Sequence, residues 1–457
     1  MNDIEKLRAE RTENNAAILN NRIPNRVPCA VSIGLNAVAE YAGVDPKAAI
    51  WDYRLLEDAI DKLCEMIPSD GCVGGASVLL PAKYQAIGSK SIIMGSDGFI
   101  QHPNTHMMEE DEYDQFIEDP YAFMVETAAP RTNRNLDFKN NPVGTIKAIN
   151  QANALTGYVF GTLGQVMGKM AMKYGYPMGG AFGGGGGYAP LDILSDQLRS
   201  FSGMSTDIRR RPDKVKAAME AMFPWQYDQC KCPDLERYTR DAYAFYPLHM
   251  ATFMRTKDFE ELWWKPWLAQ INSYAAMGVR TGAFLEDDWT RFIDYLQDVP
   301  TGTYFTFEYT DAKQLKEKVG KHCVLSSGFP IKYLTQYTKE EAIDRTKEWL
   351  DIVAPGGQYA FGFDKSPLVL ADVNLDNLKA VVETVVSYGV YDNPGAPSGE
   401  IFHKEDYTEL KVEEFKSRCF TSWEEYLEQN PNTPECAKAP IMNEEKAIRS
   451  FYYSLMQ

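Results

Sequence analysis

The chain has 457 residues, with 64 Asp and Glu against 47 Lys and Arg, a net charge of -17 and 44% hydrophobic residues. Such a chain can bury a large core, either as two or three domains or as one α/β barrel with insertions. The acidic balance argues against nucleic acid, because no basic stretch is denser than Arg209-Arg210-Arg211.

No uninterrupted apolar run approaches the ~18–20 residues of a membrane helix. Residues 1–21 are charged and lack an apolar centre, so a secretory signal is not expected. The eight Cys are scattered, as in a reduced protein, and a cytoplasmic location is the expectation.

Residues 1–21 read as one amphipathic helix through Ile4, Leu7, Ile18 and Leu19. Residues 27–33 have strand character, 46–66 are helical, and 64–80, with Gly71, Gly74 and Gly75, read as loop and short strand. The stretch 91–124 runs from a short strand through a polar segment into an acidic helix. His102 and His106 are four apart there, but Pro103 disfavours a helix that would align them as a metal pair. A loop or substrate-pocket role is the better expectation for both.

Residues 150–174 read as a helix. The glycine run within 178–188 lacks the Lys-Ser/Thr of a phosphate loop, so a flexible active-site loop is expected. Residues 190–222 read as two helices separated at Gly203, with Pro212 starting a helix.

From there to residue 389 a strand–helix alternation appears. Strands are expected at 243–250, 279–286, 303–308, 323–326 and 358–363. Helices are expected at 258–277, 289–297, 311–319, 339–352 and 375–388. Such alternation argues a parallel sheet, and functional-looking residues at strand ends favour a closed barrel. The tail from Asp392 is expected to wrap the exterior.

The candidate chemistry lies at three successive strand ends: His249, Glu286 and Glu308. Glu286 and Asp288 would share one face of a strand, with Asp287 on the other. Helix capping accounts for Asp288, and Thr310 or Asp311 caps the following helix, leaving Glu286 and Glu308 uncommitted. A buried Glu at a barrel mouth is costly unless paired or metal-bound. Asp288 is the runner-up ligand. Pocket candidates are His102, Tyr246 and Phe363, while His322 precedes its strand and should lie at the opposite face. Cys230-Lys231-Cys232 is a weak thiolate pair for zinc.

The segments LDILSDQLRSFSGMSTDIRRRPDKV, FEELWWKPWLAQINSYAAMGVRTGAFLEDDW and FEYTDAKQLKEKVGKHCVLSSGFP resemble the uroporphyrinogen decarboxylase superfamily. TKEEAIDRTKEWLDIVAPGGQYAFG and VNLDNLKAVVETVVSYG extend the resemblance over 190–389. It implies a (β/α)8 TIM barrel spanning 1–457 as one domain, with N-terminal additions at 1–90 and a C-terminal extension at 390–457.

The Arg-Gln-Ala-Gly-Arg loop of the family's decarboxylases is missing from residues 24–35. A porphyrinogen decarboxylase-like activity, or a non-catalytic tetrapyrrole-binding barrel, is therefore the more distant alternative. The cobalamin-dependent methyltransferase branch is more similar. Its thiol-activating members hold zinc with His-x-Cys and a later Cys, where this chain has Glu286-Asp287-Asp288 and no Cys near 360–365. Carboxylate in place of thiolate suits an oxygen donor.

The resemblance thus implies an O-demethylase methyltransferase. Zn2+ held by His249, Glu286 and Glu308 would polarise a methyl ether, an aryl one in this expectation, for transfer to the Co(I) corrinoid (cobalamin) of a separate corrinoid-binding protein. Methanol or a methylated amine is the alternative donor.

Overall fold

The computed structural model describes residues 3–75, 79–178, 182–230 and 243–456. It is a mixed α/β structure organised on a six-stranded sheet. The strands are β1 (Phe182–Gly186), β2 (Tyr243–Leu248), β3 (Thr281–Leu285), β4 (Tyr304–Phe307), β5 (Val324–Ser327) and β6 (Tyr359–Ala360), lying side by side in chain order. Every pair is parallel, with Ala283 beside Phe305 and Phe305 beside Leu325 in the centre. Burial on both faces explains the apolar runs of β3 to β5, as parallel sheets covered by helices require.

Beyond β6 the pairing continues as single parallel bridges, Cys29 with Phe361 and Ile33 with Gly74. The strand character expected at 27–33 is realised in this form. One contiguous apolar core runs from Val27 to Met456. Among the described residues, no helix is long and apolar enough to cross a membrane.

Local chemistry fixes the helices. Asp311 accepts from the Gln314 N–H and starts the helix Ala312–Val319, as expected of a cap. Thr338 and Glu341 form a reciprocal capping box at Lys339–Val353, and Asn374 caps Leu375–Tyr388. The N-terminal helix spans Asp3–Leu19, and the helix expected at 150–174 begins earlier, at Pro142 behind the Asn141 cap. The tail contributes to the core: Phe415 stacks on Trp225 at 5.6 Å between centroids, and Tyr453 meets the same ring at 5.7 Å.

Four expectations are corrected. The helical stretch at 46–66 is broken, because Asp52 accepts from the Arg54 N–H and starts a new turn before Glu57–Met66. The glycine run is not a loop over 182–186: these residues form edge strand β1, and the Gly187 N–H donates to the Phe245 carbonyl at 3.0 Å. Residues 179–181 lie outside the described residues. The break within 190–222 falls at Ser200, whose φ is +60°, and Gly203 is inside the helix Ser200–Arg210. The helix expected at 289–297 is two short 3-10 turns, Thr290–Phe292 and Tyr295–Asp298. Its Thr, Ile and aromatic residues favour an α-helix weakly.

Candidate functional site

The C-terminal ends of β2, β3 and β4 deliver His249, Glu286 and Glu308 to one cavity of about 830 Å3. Each lies just past its strand rather than within it. His249 follows Leu248-terminated β2, Glu286 follows Leu285 and Glu308 follows Phe307.

His249 is fixed from both sides. Its Nδ1 lies 2.8 Å from Asp196 Oδ2, and its backbone N–H donates to Asp192 Oδ2 at 3.0 Å. Asp192 is fully buried, and its other oxygen accepts from the Met250 N–H at 3.1 Å and from Trp263 Nε1–H at 2.8 Å. Asp196 sits in a π-helical turn, Leu194–Leu198, of the kind often found at functional sites. Burial pulls the His249 imidazole down, but the Asp196 hydrogen bond and charge outweigh it and raise its pKa to about 9. Burial, then the charge of Asp196, raises the Asp192 carboxyl to about 7.

With Nδ1 turned to Asp196, the Nε2 of His249 faces Glu286 Oε2 at 3.5 Å. Burial raises the Glu286 pKa, against the lowering effect of His249. Two donors of one tetrahedral zinc, each at ~2.0–2.2 Å, sit ~3.4 Å apart. His249 and Glu286 therefore have a spacing and donor chemistry that fit two ligands of one metal and equally an ion pair, with Asp196 hydrogen-bonded behind the imidazole.

Glu308 is arranged differently. It is 8% exposed, accepts from the Asp287 N–H at 2.7 Å, and has Lys365 Nζ 3.6 Å from its other oxygen. Among the described residues, no group of three or more His, Cys, Asp or Glu side chains is assembled as a metal cage. The structure brings two of the three expected ligands to metal spacing and commits Glu308 to a backbone amide and an ammonium.

The alternation expected for Glu286 and Asp288 does not hold, because the strand ends at Leu285 and Asp287 has φ +66°. That left-handed residue turns its N–H to Glu308, a cost that a non-glycine residue bears where other contacts enforce it. Asp288 accepts from the Thr290 N–H at 2.8 Å, although Trp289, not Asp288, is the N-cap of the turn Thr290–Phe292. Thr310 is not the cap of the following helix; its Oγ1 accepts from the Trp289 N–H at 3.1 Å.

His102 lines the cavity, as expected, whereas His106 pairs with Glu109 at 3.0 Å. Tyr246 does not line it: the side chain is fully buried, packed against Trp267. Phe363 also lies off the cavity wall, against Phe329 and Phe361. His322 is outside it, beside Glu400 at 3.0 Å. Cys230 is buried with its pKa pushed up to about 12 by desolvation, which disfavours a thiolate ligand, and Cys232 lies outside the described residues. Arg26, in the segment lacking the decarboxylase loop, is committed to a buried pair with Asp70 at 2.7 Å.

Three site residues were missed from sequence: Asp192, Asp196 and Lys365. The signal for the first two was a pair of acids four apart in the otherwise apolar LDILSDQL. Lys365 follows the last strand, in the segment 360–365 that lacks the family's Cys. The cavity's outer wall is aromatic, with Tyr188, Phe201, Phe253 and Tyr309, and Tyr188 meets the His249 ring edge-on at 5.7 Å.

Comparison of the chain with models of known protein families gives no match, and neither does comparison with curated proteins.

Proposed function

We propose that this chain is a methyltransferase that removes the methyl group of an aryl methyl ether and passes it to the Co(I) corrinoid of a separate protein. The observation that carries the reading is the His249–Glu286 pair, 3.5 Å apart and braced by Asp196, in the lining of a large cavity that also includes Tyr188, Phe201, Phe253 and Tyr309. We further propose that the sheet closes into a (β/α)8 barrel. Six parallel strands in chain order, continued by the bridges at Cys29 and Ile33, support it, as do polar groups gathered at strand C-termini.

His249 Nε2 and Glu286 would hold Zn2+, which supplies Lewis acidity toward the ether oxygen. In the neutral ring that zinc would bind, Asp196 would keep the remaining proton on Nδ1 and leave the Nε2 lone pair to the metal, the second proton being displaced on binding. Glu308 holds the left-handed turn at Asp287 and anchors Lys365. That ammonium lies 5.1 Å from the centre of the Tyr309 ring and would supply positive charge toward a departing phenolate. Tyr188, Phe201 and Phe253 line the cavity and would offer ring faces to an aromatic substrate. A cavity of about 830 Å3 suits an aryl ether better than methanol.

The test is a panel of aryl methyl ethers, methanol and methylamines assayed with a reduced corrinoid protein, beside elemental analysis of the purified chain. Methyl transfer from an aryl ether with one zinc per chain is expected. Absence of zinc together with no transfer from any donor would sink the reading, and transfer from methanol alone would replace the substrate class.

A further inference from the structure

Away from the cavity, two thiols are held against each other. Cys64, on the last turn of the helix Glu57–Met66, lies with its Sγ 3.7 Å from the Sγ of Cys72, eight residues on. Cys64 is buried and Cys72 is half-buried.

The surroundings hold this contact in place. Arg11 donates to Asp70 at 3.1 Å, to the Ser69 carbonyl at 2.8 Å and to the Tyr174 carbonyl at 2.6 Å, fixing the segment that leads into Cys72. The same guanidinium lies 5.1 Å from the centre of the Tyr176 ring. Hydrogen bonding from Cys72, opposed by burial and joined by Tyr176, lowers the Cys64 thiol below its ordinary value. A thiolate is the nucleophile in cysteine oxidation, and a second thiol in contact is what resolves a sulfenic acid to a disulfide.

We propose that Cys64 and Cys72 are a redox modification site, a dithiol that closes to an intramolecular disulfide on exposure to peroxide. The Cys64 thiolate attacks one oxygen of hydrogen peroxide, the O–O bond breaks, and Cys64 sulfenic acid and hydroxide result. The Cys72 sulfur then attacks the Cys64 sulfur, the S–O bond breaks, and water leaves with the Cys72 proton. The hydroxide takes up the proton first released by Cys64. Two thiols are oxidised by two electrons and one peroxide is reduced to two waters. The product ties the helix Glu57–Met66 to the segment carrying Gly74, which bridges to Ile33 at the edge of the sheet.

The exposed thiols Cys419 and Cys436 would obscure the result, so the full chain carrying C419S and C436S is the protein to use. It is treated with hydrogen peroxide, alkylated with N-ethylmaleimide under native and then denaturing conditions, and mapped by mass spectrometry. The expected result is loss of two hydrogens from the intact mass, a linked Cys64–Cys72 peptide, and recovery of both alkylatable thiols with dithiothreitol. Addition of C72S should abolish the link and leave Cys64 trapped by dimedone as a sulfenic acid. Full alkylation of Cys64 and Cys72 after peroxide, or their oxidation to sulfinic acids without a link, overturns the proposal. The mapping of the protein that retains Cys72 decides this even if C72S does not fold.

Discussion

The Nδ1 of His249 and the Oδ2 of Asp196 are 2.8 Å apart, on elements separated by 53 residues of chain. That contact selects the ring tautomer and leaves Nε2 aimed at Glu286. A carboxylate behind a ligating histidine raises its basicity, and losing such a partner typically costs ~10–100-fold in metal affinity. Asp196→Asn should therefore weaken zinc binding by about that factor in a competition titration with a chromophoric chelator. Unchanged affinity would show that Asp196 does not govern the imidazole.

Glu286 and Glu308 should separate under the same measurement. Glu286→Gln removes a charged donor from the pair at metal spacing and should abolish stoichiometric zinc. Glu308→Gln keeps an oxygen for the Asp287 N–H, 2.7 Å away, and should retain the fold with a smaller loss of zinc. Glu308→Ala is a poorer test, because it leaves that amide without its acceptor, at about 1–3 kcal/mol. Equal zinc loss in the two Gln variants would make Glu308 a full ligand.

In the metal-free protein, the cluster should make stability fall as pH rises. The pKa values of His249, Asp192 and Glu286 are all raised in the folded state, the first to about 9 and the second to about 7. The folded chain then binds more protons than the unfolded chain between the ordinary values and the raised ones. The slope of unfolding free energy with pH is negative there. The His249 share is fully present below its unfolded value of ~6.5 and lost as pH climbs through about 9. Unfolding free energies extrapolated from urea titrations at pH 6 and pH 9 should differ by roughly 3 kcal/mol from this group, and Asp196→Asn should flatten the dependence. A rising profile in the unsubstituted protein would contradict the assignment.

The parts of this site legible in the sequence are those whose signal is local. Short stretches rich in apolar and aromatic residues located β2 to β4, and Val324-Leu325 located β5, as strands covered on both faces require. Acids directly after them located Glu286 and Glu308. The roles of those acids depended on where the strand stops. Period-two alternation assigns faces only within extended backbone, and the left-handed turn at Asp287 ends it after Leu285. Asp192 and Asp196 were hidden for another reason. Acids on a helix ordinarily face solvent, and only the fold shows that these two turn inward to a histidine one strand further on. Tyr246 failed as a pocket residue because its strand position faces the packed side, against Trp267.

Asp192 is the positioning residue of this constellation, and its removal should be costly. One carboxylate accepts from the His249 N–H, the Met250 N–H and the Trp263 indole N–H, all of them within the core. A buried donor left without an acceptor costs about 1–3 kcal/mol, so Asp192→Ala should destabilise the chain by on the order of 3 kcal/mol or more. Asp192→Asn keeps one acceptor oxygen but turns an N–H2 toward the other donors, and an intermediate loss is expected. Urea unfolding followed by tryptophan emission reads both variants. A purely structural role predicts lower stability with zinc affinity unchanged at low temperature. Positioning predicts weaker zinc binding even where the variant is fully folded, because the strand end that carries His249 is no longer pinned.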